Sequence, residues 1–424
     1  MEKKVNKKYY IGFLLVLLLA YLIVLSQSKG DFKVMLDAAE LLRNGKNIYN
    51  VSLGDNVGLY YYSPLFALLL IPFTYVPYFI PNLLWLLASA FWVYRIWKLI
   101  QKDLDLTGFS NKQINQLIIL SFLCTIRFIL YNFGLIQLTV FMLWAILESL
   151  HLFEKNKNIH GSLLLALAIN FKLLPIVILP YLFYRKNFQP LFLTLFFMAV
   201  YLFLPALFIS KTTNSFLLYE WWGAINPAQD GFKFETDWSV HSLNALVPTL
   251  LMITEGELNL KRNILNLSPV LVNQISLAVR LLFIVFTIYF LGIKNNRPIS
   301  KIQKSWEVAY LTLVIPLIFP HQHKHAFYML FPAIVYLLYF LIFTYNNKYN
   351  VIGKVKWNIV LCLLIGSFIL MTLTTDGVIG RYYNNITQHY KTVTYGAIFV
   401  AIALALSKPK YLVVNNKKDP RTVD

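Results

Sequence analysis

Charge is scarce in this chain: only 13% of its 424 residues are Asp, Glu, Lys or Arg, against roughly 25% in an average soluble domain. So little charge cannot cover a water-facing surface, which excludes a soluble globular enzyme. Acids are scarcer still, 19 against 38 basic residues. A formal charge of +19 would suit a nucleic-acid partner, but the basic residues stand in short clusters between apolar runs and form no continuous basic face. No nucleic-acid binding is expected. Cysteine is nearly absent, and Cys124 and Cys362 both fall in apolar runs, so neither a disulfide framework nor a thiolate metal site is available. No glycine-rich nucleotide-binding loop is present, and the chemistry asks for no cofactor.

What the chain has is apolar sequence, 58% of it hydrophobic and 16% aromatic. The pattern predicts an all-α polytopic membrane protein, a single integral-membrane domain over residues 1–424 with about twelve transmembrane helices. The first apolar run, Tyr9 to Ser26, follows Lys3, Lys4, Lys7 and Lys8; it lacks a small-x-small cleavage site and reads as an uncleaved first helix. Further spans are expected near 79–99, 113–131, 138–153, 161–171, 174–185, 190–210, 269–292, 305–320, 325–345, 357–374 and 392–408. The stretch Leu65 to Val76 is bracketed by Pro64, Pro72 and Pro77. It is too short to cross and is expected to dip or lie at the interface. With it left out, the clusters Arg95/Lys98/Lys102/Lys112, Lys155/Lys157, Arg185/Lys186, Lys294/Arg297/Lys301/Lys304 and Lys348/Lys354/Lys356 all fall on the side that carries the N-terminus, as cytoplasmic loops do. Both termini are then cytoplasmic, with a tail at 409–424. Two long stretches are external: 27–78, which contains a juxtamembrane helix, and 211–268. The expected location is a bacterial cytoplasmic membrane, with membrane lipids around the chain.

Polar groups at membrane depth are costly and tend to mark function. On the external side this topology gathers Asp31, Arg127, Gln137, Lys172, His241, His321, His323, Lys324, His325 and Arg381. Asp31 is the one well-placed carboxylate among cations and imidazoles, suited to act as a general base on a hydroxyl. It also suits the N-cap of a helix starting near Phe32, and both readings stay open. Asp37, six residues on, lies on another helical face and reads as surface. Lys172 precedes Pro175 at the hinge of two short apolar segments, where a phosphate would be a natural partner and snorkelling the alternative. Arg127 faces the same choice. The run Pro320-His321-Gln322-His323-Lys324-His325 is the densest polar cluster. It suits a phosphate or sugar hydroxyls; zinc would need Cys, Asp or Glu nearby, and none is close in sequence.

These residues resemble a known family. Asp31-x2-Val34-x3-Ala38-Ala39-x2-Leu42-x2-Gly45-x2-Ile48-Tyr49, followed by Tyr62-x-Pro64, is similar to the first external loop of glycosyltransferase family 87, polyprenol-phosphate-mannose-dependent mannosyltransferases of the GT-C type. Ile136-Gln137-Leu138-Thr139 stands where that family has Gly-Gln-x-Asn, Lys172-x2-Pro175 matches Lys-x2-Pro, His241-Ser242-Leu243 resembles Gln-Ser-Leu, and His323-x-His325-x2-Tyr328 resembles its late histidine-rich loop. The resemblance implies a GT-C-like fold and transfer of a sugar, usually mannose, from a polyprenyl-phosphate donor to the hydroxyl of a lipid or glycan acceptor. Inversion is implied, with no nucleotide sugar and no metal. Asp31 would be the base. Lys172, His323, His325 and Arg127 would meet the donor phosphate, and Tyr49, Tyr62, Gln137, His241 and Ser242 would touch substrate. Ile136, Thr139 and His241 depart from the family pattern. A polysaccharide ligase or polymerase, or a lipid-linked-sugar transporter or flippase, are the alternatives.

Overall fold

A computed structural model describes residues 7–54, 58–226, 234–235, 237–256, 258–292, 300–347 and 352–412. The basic residues Lys294, Arg297 and Lys348 and the tail beyond Leu412 lie outside them. Every regular element among the described residues is helical. In chain order they are α1 (Lys7–Ser26), α2 (Gly30–Arg43), α3 (Pro64–Leu70), α4 (Phe79–Asp103), α5 (Asn111–Gly134), α6 (Thr139–Glu154), α7 (Asn158–Phe171), α8 (Ile178–Tyr184), α9 (Phe188–Phe203), α10 (Ala206–Ile209) and α11 (Lys211–Ile225). They continue as α12 (Leu243–Leu251), α13 (Pro269–Leu291), α14 (Lys301–Ile318), α15 (Phe331–Asn346), α16 (Lys354–Phe368), α17 (Asp376–His389) and α18 (Thr392–Leu406). Among the described residues the long stretch at 211–268 holds two helices, α11 and α12.

The expected count of twelve spans is not confirmed. By length and composition six helical stretches among the described residues can cross a membrane, 79–103, 111–134, 188–209, 269–291, 324–346 and 354–373, or eight if two bent pairs each count once. The difference has a physical cause. The segments expected near 138–153, 161–171 and 174–185 form helices of 16 residues in α6, 14 in α7 and 7 in α8. Even α6 rises only about 24 Å at ~1.5 Å per residue, short of a hydrocarbon core of ~30 Å. The stretch after Tyr62 behaves as its prolines require. Ser63 caps α3 by accepting from the Phe66 amide, Pro64 opens the helix, and a 3-10 turn over Ile71–Tyr75 ends it. Its twelve residues are too few to cross.

The chain divides into two compact units, residues 1–99 with 128–233, and 100–127 with 234–424. In the first, α2 buries Phe32, Met35, Leu36, Ala38, Ala39 and Leu42, the apolar stripe of an amphipathic helix. An aromatic cluster lies below it: Phe32 on Trp85 at 5.2 Å, Phe66 on Phe171 at 4.4 Å, and Phe141 on Phe171 at 5.5 Å between ring centroids. In the second unit the span 324–346 is 89% buried inside the protein, whereas 269–291 is 11% buried. The first is a helix sheathed by others; the second turns its apolar side chains outward, as a lipid-facing helix does. One consequence is that the histidine-rich run opens onto the most enclosed helix of its unit.

Candidate active site

In the first unit Asp31 sits in the first turn of α2. The preceding Lys29 holds the cap position and makes no side-chain cap, so Asp31 is no N-cap. The amide of Asp31 donates to the Leu135 carbonyl at 3.0 Å. Gly30 makes this approach possible, since a Cβ there would stand 2.8 Å from that same carbonyl oxygen. The Gln137 amide then donates to Asp31 Oδ2. Gln137 is itself fixed: its N–H donates to Asn132 O at 2.9 Å, and its carbonyl accepts from Trp85 Nε1 at 3.2 Å. Gln137 therefore orients the carboxylate. Ile136, at the tip of the same turn, is held at φ 53°, a left-handed conformation that a β-branched residue adopts only under strain.

The charge of Asp31 reaches two further side chains. Lys172 ends α7 in an extended conformation, and its ammonium lies 5.6 Å above the Tyr62 ring centre. Burial pushes that ammonium down to about 8, opposed by the negative charge of Asp31. Tyr62 is held above its ordinary value by burial and then by Asp31. The backbone carrying both is anchored, because Ser63 Oγ donates to Asn170 Oδ1 at 2.7 Å. Tyr49 is fully buried, and its hydroxyl donates to the Tyr62 carbonyl at 2.8 Å. Asp37 binds Lys33 and the Gly54 amide, the latter at 3.0 Å, and so pins the loop after α2.

The second unit gathers the other candidates. The His241 amide donates to Gln322 O at 2.8 Å, joining the 240 strand-like bridge to the histidine run. His323 Nδ1 is 3.0 Å from Ser239 Oγ, which donates to Asp237 Oδ1 at 2.7 Å. The His323 and His325 rings stack at 5.9 Å, and Lys324 Nζ lies 5.7 Å above the Trp238 ring. Ser242 Oγ donates to Glu235 Oε2 at 3.1 Å. Arg127 is buried in α5 and holds Met371 O at 2.7 Å, Thr374 Oγ1 at 2.7 Å and Asn384 Oδ1 at 3.0 Å; these bonds brace α5 against the turn before α17. Among the described residues no group of three His, Cys, Asp or Glu side chains is arranged to hold a metal ion.

Lys391 joins this set without a sequence signal beyond its position between two short helices. It has no exposed surface, adopts φ 58° and donates to the Asp237 carbonyl. Three residues later Thr394 Oγ1 donates to His241 O at 2.6 Å, which ties the start of α18 to His241.

In the first unit, an oriented carboxylate with an ammonium at hand is a means of moving a group between oxygen atoms. The sequence model of glycosyltransferase family 87 matches residues 60–316. The chain belongs to that family. It is accordingly a membrane glycosyltransferase. No curated protein and no solved structure matches the chain. Tyr62, Arg127, Gln137, Lys172, His241 and Ser242 lie inside the family match, whereas Asp31, His323, His325 and Lys391 lie outside it.

Proposed function

We propose that this family 87 glycosyltransferase moves mannose from a polyprenyl-phosphate carrier to a hydroxyl of a lipid or glycan acceptor, on the external face of a bacterial cytoplasmic membrane, with inversion. The observation that carries the proposal is the Asp31 carboxylate, oriented by Gln137 and set with Lys172 and Tyr62. In the reaction Asp31 takes the acceptor proton as the acceptor oxygen attacks the anomeric carbon. The bond from that carbon to the phosphate oxygen breaks, and its electron pair leaves with the carrier phosphate. Lys172 offsets the charge that appears there. General-base assistance of this kind is commonly worth about 10²- to 10⁴-fold.

Vesicles containing the protein, supplied with polyprenyl phosphate bearing radiolabelled mannose, test the reading. The expected result is label in a new glycolipid or glycan fraction. Label that only crosses the bilayer on its original carrier would contradict the transfer and indicate a flippase instead.

A further inference from the structure

At one end of the second unit, side chains from α13, α14 and α15 close the C-terminus of α18. The Trp306 Nε1 donates to Leu404 O at 2.8 Å, the Tyr289 hydroxyl to Ala405 O at 2.9 Å and the Tyr336 hydroxyl to Ser407 O at 2.7 Å. Together with Ser407 Oγ on Ala403 O at 2.8 Å, they take up most of the carbonyls that a helix leaves open at its end. The lysines that follow are therefore not needed as helix caps. A 3-10 turn over Pro409–Leu412 brings Lys408, Lys410 and Tyr411 to the start of α16. There the Lys356 ammonium donates to the Tyr411 hydroxyl at 3.1 Å and lies 4.7 Å from the centre of its ring, with the Lys410 ammonium at 5.2 Å from the same centre. Lys408 lies 4.3 Å above the Tyr289 ring. None of these three ammonium groups meets a carboxylate among the described residues. The acids brought to this end are engaged: Asp103 pairs with Lys304 at 2.7 Å, Asp105 accepts from the Thr107 amide and hydroxyl, and Glu307 accepts from Gln303. In its hydrogen bond with Lys356 the Tyr411 hydroxyl is the acceptor, so its own proton is still to be donated. That bond first, and then the charges of Lys356, Lys410 and Lys408, hold the hydroxyl below its ordinary value against the opposing effect of burial.

We infer that Lys356, Lys408, Lys410 and the Tyr411 hydroxyl form a headgroup site for an anionic phospholipid. Lysines at a helix end ordinarily spread apart into water, whereas these converge on neighbouring tyrosines and repel one another. A phosphate set among them removes the repulsion and accepts charge-assisted hydrogen bonds, with the Tyr411 proton as a further donor. What flanks the cluster selects a lipid over free phosphate. The span 269–291 ends beside Tyr289 and is 11% buried, and the span 354–373 begins beside Lys356 and is 28% buried. Ile288 on the first and Ile359 on the second are exposed, so acyl chains laid against these helices bring their headgroup to the lysines. Lysine clusters at the end of a membrane helix attract anionic lipid in this way. The site is separate from the histidine-rich run. That run opens the span 324–346, whereas Phe340, whose ring meets Tyr411 at 6.4 Å, lies near the other end of it, about 24 Å away along the helix axis. The inference is independent of the sugar donor proposed above.

The test titrates phosphatidylglycerol or phosphatidylcholine onto the full chain in detergent and reads bound lipid by native mass spectrometry, with inorganic phosphate as competitor. Wild type should hold phosphatidylglycerol about tenfold more tightly than the zwitterionic lipid. Lys356→Gln combined with Lys410→Gln should lose about tenfold of that affinity, Tyr411→Phe about two- to fivefold, and Lys410→Arg should keep it. Lys301→Gln and Lys354→Gln remove exposed lysines at the same end outside the cluster and should change the affinity by less than about twofold. Equal affinity of wild type for the two lipids overturns the site. Equal losses in the cluster variants and in Lys301→Gln or Lys354→Gln also overturn it, by showing only a general attraction of the basic surface. Displacement of phosphatidylglycerol by inorganic phosphate at matching concentration overturns the lipid as occupant. Should the double variant fail to fold, Lys410→Gln alone, at an exposed position, replaces it with an expected loss of about threefold, and an unchanged affinity there counts against the site.

Discussion

Asp31 owes its orientation to Gln137 and its depth to Gly30, and the neighbouring Lys172 supplies the opposite charge. Each contact makes a separate prediction. Gln137→Ala leaves the carboxylate in place but unaligned, so turnover should drop by about ten- to a hundredfold with little change in donor KM, measured by steady-state transfer. Asp37→Asn should change turnover little, because Asp37 serves the loop at Gly54. For Lys172, a charge lost as pH rises through about 8 predicts an alkaline fall in transfer at that pH, and Lys172→Arg should move the fall out of range. Lys391 makes a prediction about stability. Its ordinary value of 10.5 is lowered to about 7 in the folded protein, so between those values the unfolded chain binds the extra proton and stability rises with pH. Thermal unfolding in detergent should show this rise in unliganded protein, and Lys391→Met should reduce its slope. Asp31 and Lys172 were legible in the sequence because a lone charge beside an apolar run is expensive. Lys391 was not: its burial depends on Asp237 and on the helix end at Thr394, and no local pattern announces that.

Among the elements, the turn between α5 and α6 matters most to the site. Its Ile136 is fully buried yet held at φ 53°, at the position where the family pattern has glycine. Removing the side chain by Ile136→Ala or Ile136→Gly sacrifices the same packing, but only glycine relieves the backbone. The glycine variant should be the more stable of the two by about 1 kcal/mol, read from denaturant or thermal unfolding. Equal stabilities would show that the turn carries no strain. The end of α2 was readable as amphipathic helix, but its start at Gly30 was not, since it follows from the close approach to Leu135. The roles of Tyr49 and Arg127 also escaped the sequence. Tyr49 bonds the Tyr62 carbonyl, and Arg127 bonds Met371 and Asn384 far along the chain, bonds that no local pattern announces. The short helices α6 to α8 leave the span count unconfirmed for a related reason: hydropathy registers an apolar stretch, while the number of crossings depends on where each helix breaks.

At the scale of the whole molecule, the scarcity of charge and the family match together describe a membrane glycosyltransferase, and the clustering of basic residues gives the sidedness proposed for it. A cysteine placed near Asn226 should label from outside intact cells, whereas one placed near Ser300, on the other side of the span 269–291, should label only after permeabilisation. The central claim is that Asp31 is the base for transfer from a polyprenyl-phosphate sugar. It is tested most directly by comparing wild type and Asp31→Asn for mannose transfer from polyprenyl-phosphate-mannose, with thermal unfolding measured on the same samples. The account predicts a loss of roughly 10²-fold or more in turnover with an unaltered unfolding temperature. Near-normal turnover in Asp31→Asn would contradict it.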